Sequence, residues 1–89
     1  MTREQVMITN KLGLHARAAA KVVHTASEFK SDIFVGTEHE EVNAKSILGI
    51  LTLAATKGTP LTVRAEGSDE KAAVRAIADL FADKFGEGQ

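Results

Sequence analysis

The sequence predicts an α/β (α+β) domain of two layers, a four-stranded and mostly antiparallel sheet with three helices on one face. Segments with a two-residue apolar period alternate with segments of helical period, in the order β-α-β-β-α-β-α. No linker, repeat or low-complexity segment interrupts this order. The length of 89 residues allows one hydrophobic core. We therefore expect a single domain over residues 1–89.

The first strand is predicted over residues 5–9, with Val6 and Ile8 on one face. A turn that contains Gly13 ends it, and the first helix is predicted over residues 16–29. Small residues let that helix lie close to the sheet. They recur at three- and four-residue spacing at Ala16, Ala19, Ala20, Val23 and Ala26.

The middle of the chain predicts a hairpin and a short helix. Strands are expected over residues 32–37 and 41–44, joined by an acidic turn. Ser46 has the side chain of a helix N-cap, and the apolar run over residues 47–55 predicts a helix behind it. Gly58 is expected to end that helix in the left-handed conformation.

The last third of the chain predicts a fourth strand over residues 61–66 and a third helix. Ser68 is expected to cap this helix, because two acids follow it in the first turn. One apolar stripe then runs towards Gly86, and residues 86–89 are expected to fray. The stripe consists of Val74, Ile77, Ala78, Phe81 and Phe85.

Composition excludes several classes of protein. The chain has no cysteine, which excludes disulfides and thiolate metal sites. A formal net charge of −1, with neither Trp nor Tyr and with four Phe, argues against a nucleic-acid partner. The N-terminus leads into no signal-peptide run, and the apolar run 47–55 is too short to cross a bilayer. We expect a cytoplasmic monomer without membrane insertion, metal or cofactor.

The boundary between the first strand and the first helix carries the candidate chemistry. His15 and Arg17 lie where a helix start offers unpaired N–H groups and the positive end of the helix dipole. Such a start attracts anions and disfavours added positive charge, so we expect a neutral, nucleophilic His15. The backbone of Ala16, Arg17 and Ala18 would then hold a phosphoryl group on that ring. Gly13 would give the chain the freedom to present His15 outward.

Two motifs resemble the HPr family of histidine-containing phosphocarriers in the phosphoenolpyruvate-dependent sugar phosphotransferase system. Residues 13–17, Gly-Leu-His-Ala-Arg, are similar to the active-site signature of that family, and residues 43–51 are similar to its regulatory serine region. The resemblance covers essentially the whole chain. It implies an open-faced β-sandwich, the fold read above from the patterning. The sequence departs from the family at Ala18, where the family usually has proline, and this difference bears on the transfer potential and on the partner preference.

The resemblance also implies roles for residues and partners. His15 would take a phosphoryl group on Nδ1 from enzyme I and give it to enzyme IIA domains, with Arg17 stabilising the phosphate. Ser46 would be phosphorylated by the HPr kinase/phosphorylase. Part of the short apolar helix would be exposed for docking, through Ile47, Leu48 and Leu51. The chain would act as a carrier and a substrate of phosphotransferases, without turnover of its own.

Three alternatives remain open on the sequence. The nitrogen-branch paralogue, NPr, would use the same histidine chemistry for regulation. A small ligand-binding or RNA-binding α/β sandwich could share the order of elements. A third alternative is a protein-interaction domain that keeps the fold without phosphotransfer. His24 and His39 are expected to be surface residues, because nothing in the sequence brings metal ligands to them.

Overall fold

The computed structural model describes residues 1–86 of the chain. Within them, the strands are β1 (Thr2–Met7), β2 (Asp32–Gly36), β3 (Glu41–Asn43) and β4 (Pro60–Glu66). The helices are α1 (Ala16–Ala26), α2 (Ile47–Thr52) and α3 (Glu70–Ala82), followed by a single 3-10 turn over Lys84–Gly86. The predicted order of elements is confirmed. The expectation that residues 86–89 fray lies, beyond Gly86, outside the described residues.

The strands form one antiparallel sheet in the order β1-β4-β2-β3. Burial alternates along β4, where Leu61, Val63 and Ala65 are buried and Thr62 and Arg64 are only half-buried. The buried face packs against the helices, with α3 lying across β1, β4 and β2. The other face is open, as the sequence predicted. On it, Arg64 lies over the ring of Phe34, with 4.3 Å between the guanidinium carbon and the ring centroid.

The burial of the predicted apolar stripe is confirmed, but α3 ends at Ala82, so that the last member, Phe85, lies in the 3-10 turn behind the helix. Its members Val74, Ile77, Ala78, Phe81 and Phe85 are all buried, and Phe81 and Phe85 pack edge to face with their ring centroids 5.0 Å apart. Burying one such side chain is worth about 1.5–3 kcal/mol. The stripe therefore contributes apolar surface to the core both from α3 and from the 3-10 turn behind it.

The inward face of α1 differs from the prediction. Ala16 and Ala20 are exposed, whereas Ala18 and Val22 are fully buried. The buried residues Ala18, Val22 and Ala26 follow a four-residue spacing, with Ala19 beside them. The prediction counted small residues without fixing the rotation of the helix about its axis, and contact with the sheet fixes that rotation. The helix also ends at Ala26 rather than at residue 29.

The starts and ends of other elements also differ. β1 begins at Thr2 because its polar N-terminal residues pair with β4, Thr2 lying opposite Ala65. α2 ends at Thr52, and the residue behind it in the left-handed region is Ala54, with φ of +47°. Gly58 is also left-handed, but it lies in a later turn, where its N–H donates to the carbonyl of Ile8 at 2.7 Å.

Ser68 does not cap α3. The residue at the N-cap position is Asp69, and its carboxylate accepts hydrogen bonds from the N–H groups of Lys30 and Ser31, each at 2.9 Å. It also accepts from the Ser31 hydroxyl at 2.5 Å. The start of α3 is thus fixed by the turn between α1 and β2, a tertiary contact that local capping patterns do not contain.

Candidate phosphoryl-acceptor site at the start of the first helix

A tight turn leads from β1 into the site. The N–H of Gly13 donates to the carbonyl of Asn10 at 3.3 Å, and Gly13 adopts φ of +66°. A Cβ at this position would lie 2.5 Å from the carbonyl oxygen of Ala55. Both the left-handed conformation and this close approach require glycine. Gly13 therefore does more than free the backbone, because it lets the segment after α2 pack against the turn.

His15 is the N-cap residue of α1. Its backbone is extended, with φ of −81° and ψ of 176°, and its carbonyl accepts the first intrahelical bond from Ala19 N–H at 2.8 Å. The residue is half-buried. Within residues 1–86, its side chain makes no capping hydrogen bond to the helix. The imidazole is thus carried at the helix start without serving as the cap.

The N–H groups of Ala16, Arg17 and Ala18 precede that first intrahelical bond, so they cannot pair within α1. The first turn carries no acid, and Arg17 is exposed there. Unpaired N–H groups, the positive end of the dipole and a guanidinium all favour an anion at this position. The four residues that the sequence predicted for this site, His15 to Ala18, form the N-cap and the first turn of α1.

Ala18 combines two environments. Its methyl group is fully buried in the core, whereas its N–H belongs to the open first turn of α1. Side chains at the N-cap position accept hydrogen bonds from the N–H of the second or third helical residue, here Arg17 or Ala18. Because residue 18 is alanine, its backbone N–H can act as a third donor beside those of Ala16 and Arg17. A proline at this position would have no N–H.

Ser46 is the N-cap of α2, as predicted. Its Oγ accepts a hydrogen bond from Gly49 N–H at 3.1 Å, and the residue is exposed. A Cβ at Gly49 would lie 3.3 Å from that Oγ. The hydroxyl is therefore closely packed against the first turn of α2.

The apolar run of α2 divides between core and surface. Ile50 is fully buried, whereas Ile47 is 42% and Leu48 is 73% exposed. Leu51 is half-buried. Part of this helix is therefore exposed, as the sequence predicted, although Leu51 offers less surface than the other two docking candidates.

Two residues near the site were missed by the sequence reasoning. Leu12 is 62% exposed in the turn that leads to His15, and an isolated leucine in a polar turn was the available signal. Asn10 is fully buried, and its Nδ2 donates to the carbonyl of Gly13 at 2.9 Å. No local pattern distinguishes such a buried asparagine from an ordinary turn residue.

The segment after α2 contacts the same turn, because Leu14 N–H donates to the carbonyl of Ala55 at 3.0 Å. The elements that carry His15 and Ser46 are also neighbours, since α1 packs against α2. His24 and His39 are exposed, and the Nε2 of His39 lies 3.4 Å from a Glu38 carboxylate oxygen. Across the described part of the chain, no group of three or more metal-ligating residues occurs.

No helix within residues 1–86 is long and apolar enough to span a bilayer.

Comparison with known proteins identifies the family. Residues 2–83 match the family model described as "PTS HPr component phosphorylation site". The "Phosphocarrier protein HPr" of Xylella fastidiosa is 49% identical over 87 residues, which cover 98% of each chain. The crystal structure of HPr-C-His from Thermoanaerobacter tengcongensis has a TM-score of 0.93 at 48% identity, again over 98% of each chain.

A second structure from that organism is described as an HPr dimer. It matches with a TM-score of 0.78 at 48% identity, over 98% of this chain and 100% of its own. These matches carry the HPr name, so the nitrogen-branch alternative is not favoured. The fold, the full-length identity and the match across the phosphorylation-site region agree, and the chain belongs to the HPr family of phosphocarrier proteins of the phosphotransferase system.

Proposed function

We propose that this chain accepts a phosphoryl group on Nδ1 of His15 from enzyme I and passes it to enzyme IIA domains during sugar uptake. The observation that carries the proposal is the position of His15 at the N-cap of α1, with its side chain outside the helix and N–H groups without intrahelical partners beside it. A nucleophile and an anion site therefore occupy one place. Family membership supports the same role.

The chemistry is the transfer of a phosphoryl group from a phosphorylated donor to a ring nitrogen of His15. Neutral imidazole attacks the phosphorus atom of the phosphorylated donor, a new N–P bond forms, and the donor keeps the electron pair of the bond that breaks. When an enzyme IIA domain takes the group, its nucleophile attacks the phosphorus atom, the N–P bond at His15 breaks, and the imidazole keeps the electron pair of that bond. Catalysis of phosphoryl transfer rests on positioning and electrostatic stabilisation, which this small site can supply.

Arg17 and the N–H groups of Ala16, Arg17 and Ala18 are proposed to hold the transferred group. The dipole interaction is worth about 0.3–1 kcal/mol at an exposed site. That free energy biases the orientation of the phosphate without trapping it, as a carrier requires. No cofactor or metal enters the proposal, and the chain acts as a substrate of phosphotransferases rather than as an enzyme.

Docking is proposed to use the exposed side chains of Ile47 and Leu48, with Leu51 at the margin of the patch. Exposed apolar side chains beside a charged site are typical of partner surfaces. Enzyme I and enzyme IIA domains would contact this patch while His15 reacts. We propose that the chain does so as a cytoplasmic monomer of one domain.

Regulation is proposed at Ser46 by an HPr kinase/phosphorylase. The exposed hydroxyl lies at the N-terminal end of α2, where an added phosphate would face open N–H groups rather than disrupt the helix. Because α1 packs against α2, the added charge would act near the docking patch and His15. We expect it to change partner binding by charge.

The test is intact-mass measurement after incubation with phosphoenolpyruvate and enzyme I. We expect the wild-type chain to gain one acid-labile phosphoryl group and His15→Ala to gain none. Equal labelling of both would reject His15 as the acceptor.

A parallel incubation with ATP and the kinase tests Ser46. We expect the wild-type chain to gain one acid-stable phosphoryl group and Ser46→Ala to gain none. Absence of that group would reject the regulatory role.

A further inference from the structure

Asn10 lies in the turn before His15 and is fully buried. Asparagine is mostly an exposed residue type, and burying a polar amide is costly unless it forms hydrogen bonds. The turn between residues 10 and 14 could reverse the chain with an exposed polar residue at this position. A buried amide so close to the phosphoryl acceptor therefore calls for an explanation in terms of what it holds.

Two hydrogen bonds of Asn10 are made to Gly13. Its Nδ2 donates to the Gly13 carbonyl at 2.9 Å, and its own carbonyl accepts from Gly13 N–H at 3.3 Å. The N–H of His15 donates to the same Gly13 carbonyl at 3.0 Å. One carbonyl oxygen thus joins the buried amide of Asn10 to the backbone of the acceptor histidine.

The far side of the turn is fixed by the segment behind α2. Ala55 accepts from Leu14 N–H at 3.0 Å, and its carbonyl leaves no room for a side chain at Gly13. Ala54, just before it, is held in the left-handed region. The backbone from Gly13 to His15 is therefore bonded on two sides before α1 begins.

We propose that Asn10 is a positioning residue for phosphoryl transfer, acting through the Gly13 carbonyl on the backbone of His15. The inference rests on the proposed function of His15. The amide does not act on the phosphoryl group. It fixes the N-cap position from which the imidazole must align with an incoming phosphorus atom and with the N–H groups of α1. Displacements of about 1 Å can cost roughly a hundredfold in rate.

The experiment measures kcat and KM for phosphorylation by enzyme I in Asn10→Ala, Asn10→Asp and Asn10→Ser. We expect kcat to fall at least about tenfold for the first two variants, because neither offers the neutral amide donor. KM should stay within about threefold of the wild-type value, since the exposed side chain of Leu48 is unchanged. Asn10→Ser keeps a shorter donor, and its kcat should lie between.

Ser31→Ala is the matched control. Ser31 is 1% exposed and hydrogen-bonded, but it lies beyond the opposite end of α1. We expect it to lower the melting temperature and to leave kcat unchanged. An equal fall of kcat in Ser31→Ala would overturn the proposal, because general loss of stability would then explain the effect.

A second readout needs no partner enzyme. Hydrogen exchange of the His15 amide should accelerate at least about tenfold in folded Asn10→Ala, whereas exchange in the centre of α3 should not change.

A kcat within twofold of wild type in both Asn10→Ala and Asn10→Asp would overturn the proposal, and so would unfolding of all three variants. A wild-type chain that accepts no phosphoryl group would instead reject the proposed function, and the exchange measurement would still test the role of Asn10.

Discussion

His15 occupies the N-cap position of α1, where its backbone belongs to the helix and its side chain does not. That position could be predicted from the sequence, since Gly13 and the alanine-rich stretch mark the boundary on either side. Asn10 could not be predicted in the same way. Its burial is a tertiary property, and the same turn is packed against Ala55 and Thr56 at Gly13, a contact between segments about forty residues apart.

Ala18 offers a test of the N–H groups at this helix start. Ala18→Pro removes one unpaired donor, and it should fold because proline is accepted in a first turn. We expect the equilibrium for phosphoryl transfer from enzyme I to shift away from the chain by about two- to fivefold, from a loss of about 0.3–1 kcal/mol at an exposed site. Intact-mass measurement of the labelled fraction at fixed enzyme I gives the equilibrium constant.

The melting temperature of unphosphorylated Ala18→Pro serves as the control for folding. An equilibrium constant equal to the wild-type value would show that the Ala18 N–H takes no part in holding the phosphoryl group. The donors of Ala16 and Arg17 would then suffice.

Helix starts show where local sequence is sufficient and where it is not. Ser46 caps α2 as predicted, because its hydroxyl and the Gly49 N–H are close in any helix that begins there. Ser68 has an equally suitable side chain and still does not cap α3. Asp69 takes the N-cap position because Lys30 and Ser31, from another part of the chain, bind its carboxylate. The type and order of elements follow from periodicity, whereas their ends follow from such contacts.

Ser46→Ala and Ser68→Ala form a matched pair that measures this difference. Loss of the Ser46 cap should lower the free energy of unfolding by about 1 kcal/mol. For a domain of this size that corresponds to roughly 4–8 °C in melting temperature. Ser68→Ala should change the melting temperature by at most about 2–4 °C, since surface substitutions away from caps are usually worth within 0.5 kcal/mol. Equal effects of the two variants in thermal unfolding would contradict the assignment of the caps.

On the scale of the whole molecule, the start of α3 ties together parts of the chain that are distant in sequence. Asp69 binds the turn before β2, and Glu70 accepts a hydrogen bond from the Thr2 hydroxyl at 2.6 Å. The N-terminal ammonium of Met1 lies 3.0 Å from the same Glu70 carboxylate. The sequence predicted acids here as partners of the helix dipole, and it could not show that they also join β1 and β2 to α3.

These contacts lower the pKa of both carboxyl groups to about 2. For Asp69 the main cause is the hydrogen bond from the Ser31 hydroxyl, and for Glu70 it is the hydrogen bond from Thr2. Because their ordinary values are 3.8 and 4.5, the unfolded chain binds protons at a higher pH than the folded chain does. The stability that these groups contribute is therefore complete above about pH 4.5 and is lost as the pH falls towards 2.

Urea unfolding between pH 6 and pH 2 tests this pH dependence. We expect the unfolding midpoint of the wild-type chain to fall through that window. Asp69→Asn and Glu70→Gln should each be less stable at pH 6 and lose less on acidification, because each removes one group whose protonation opposes folding. Glu28→Gln, at an exposed position outside these contacts, should follow the wild-type curve. If the curves of all four chains were parallel, the acid sensitivity of the fold would arise elsewhere than at the start of α3.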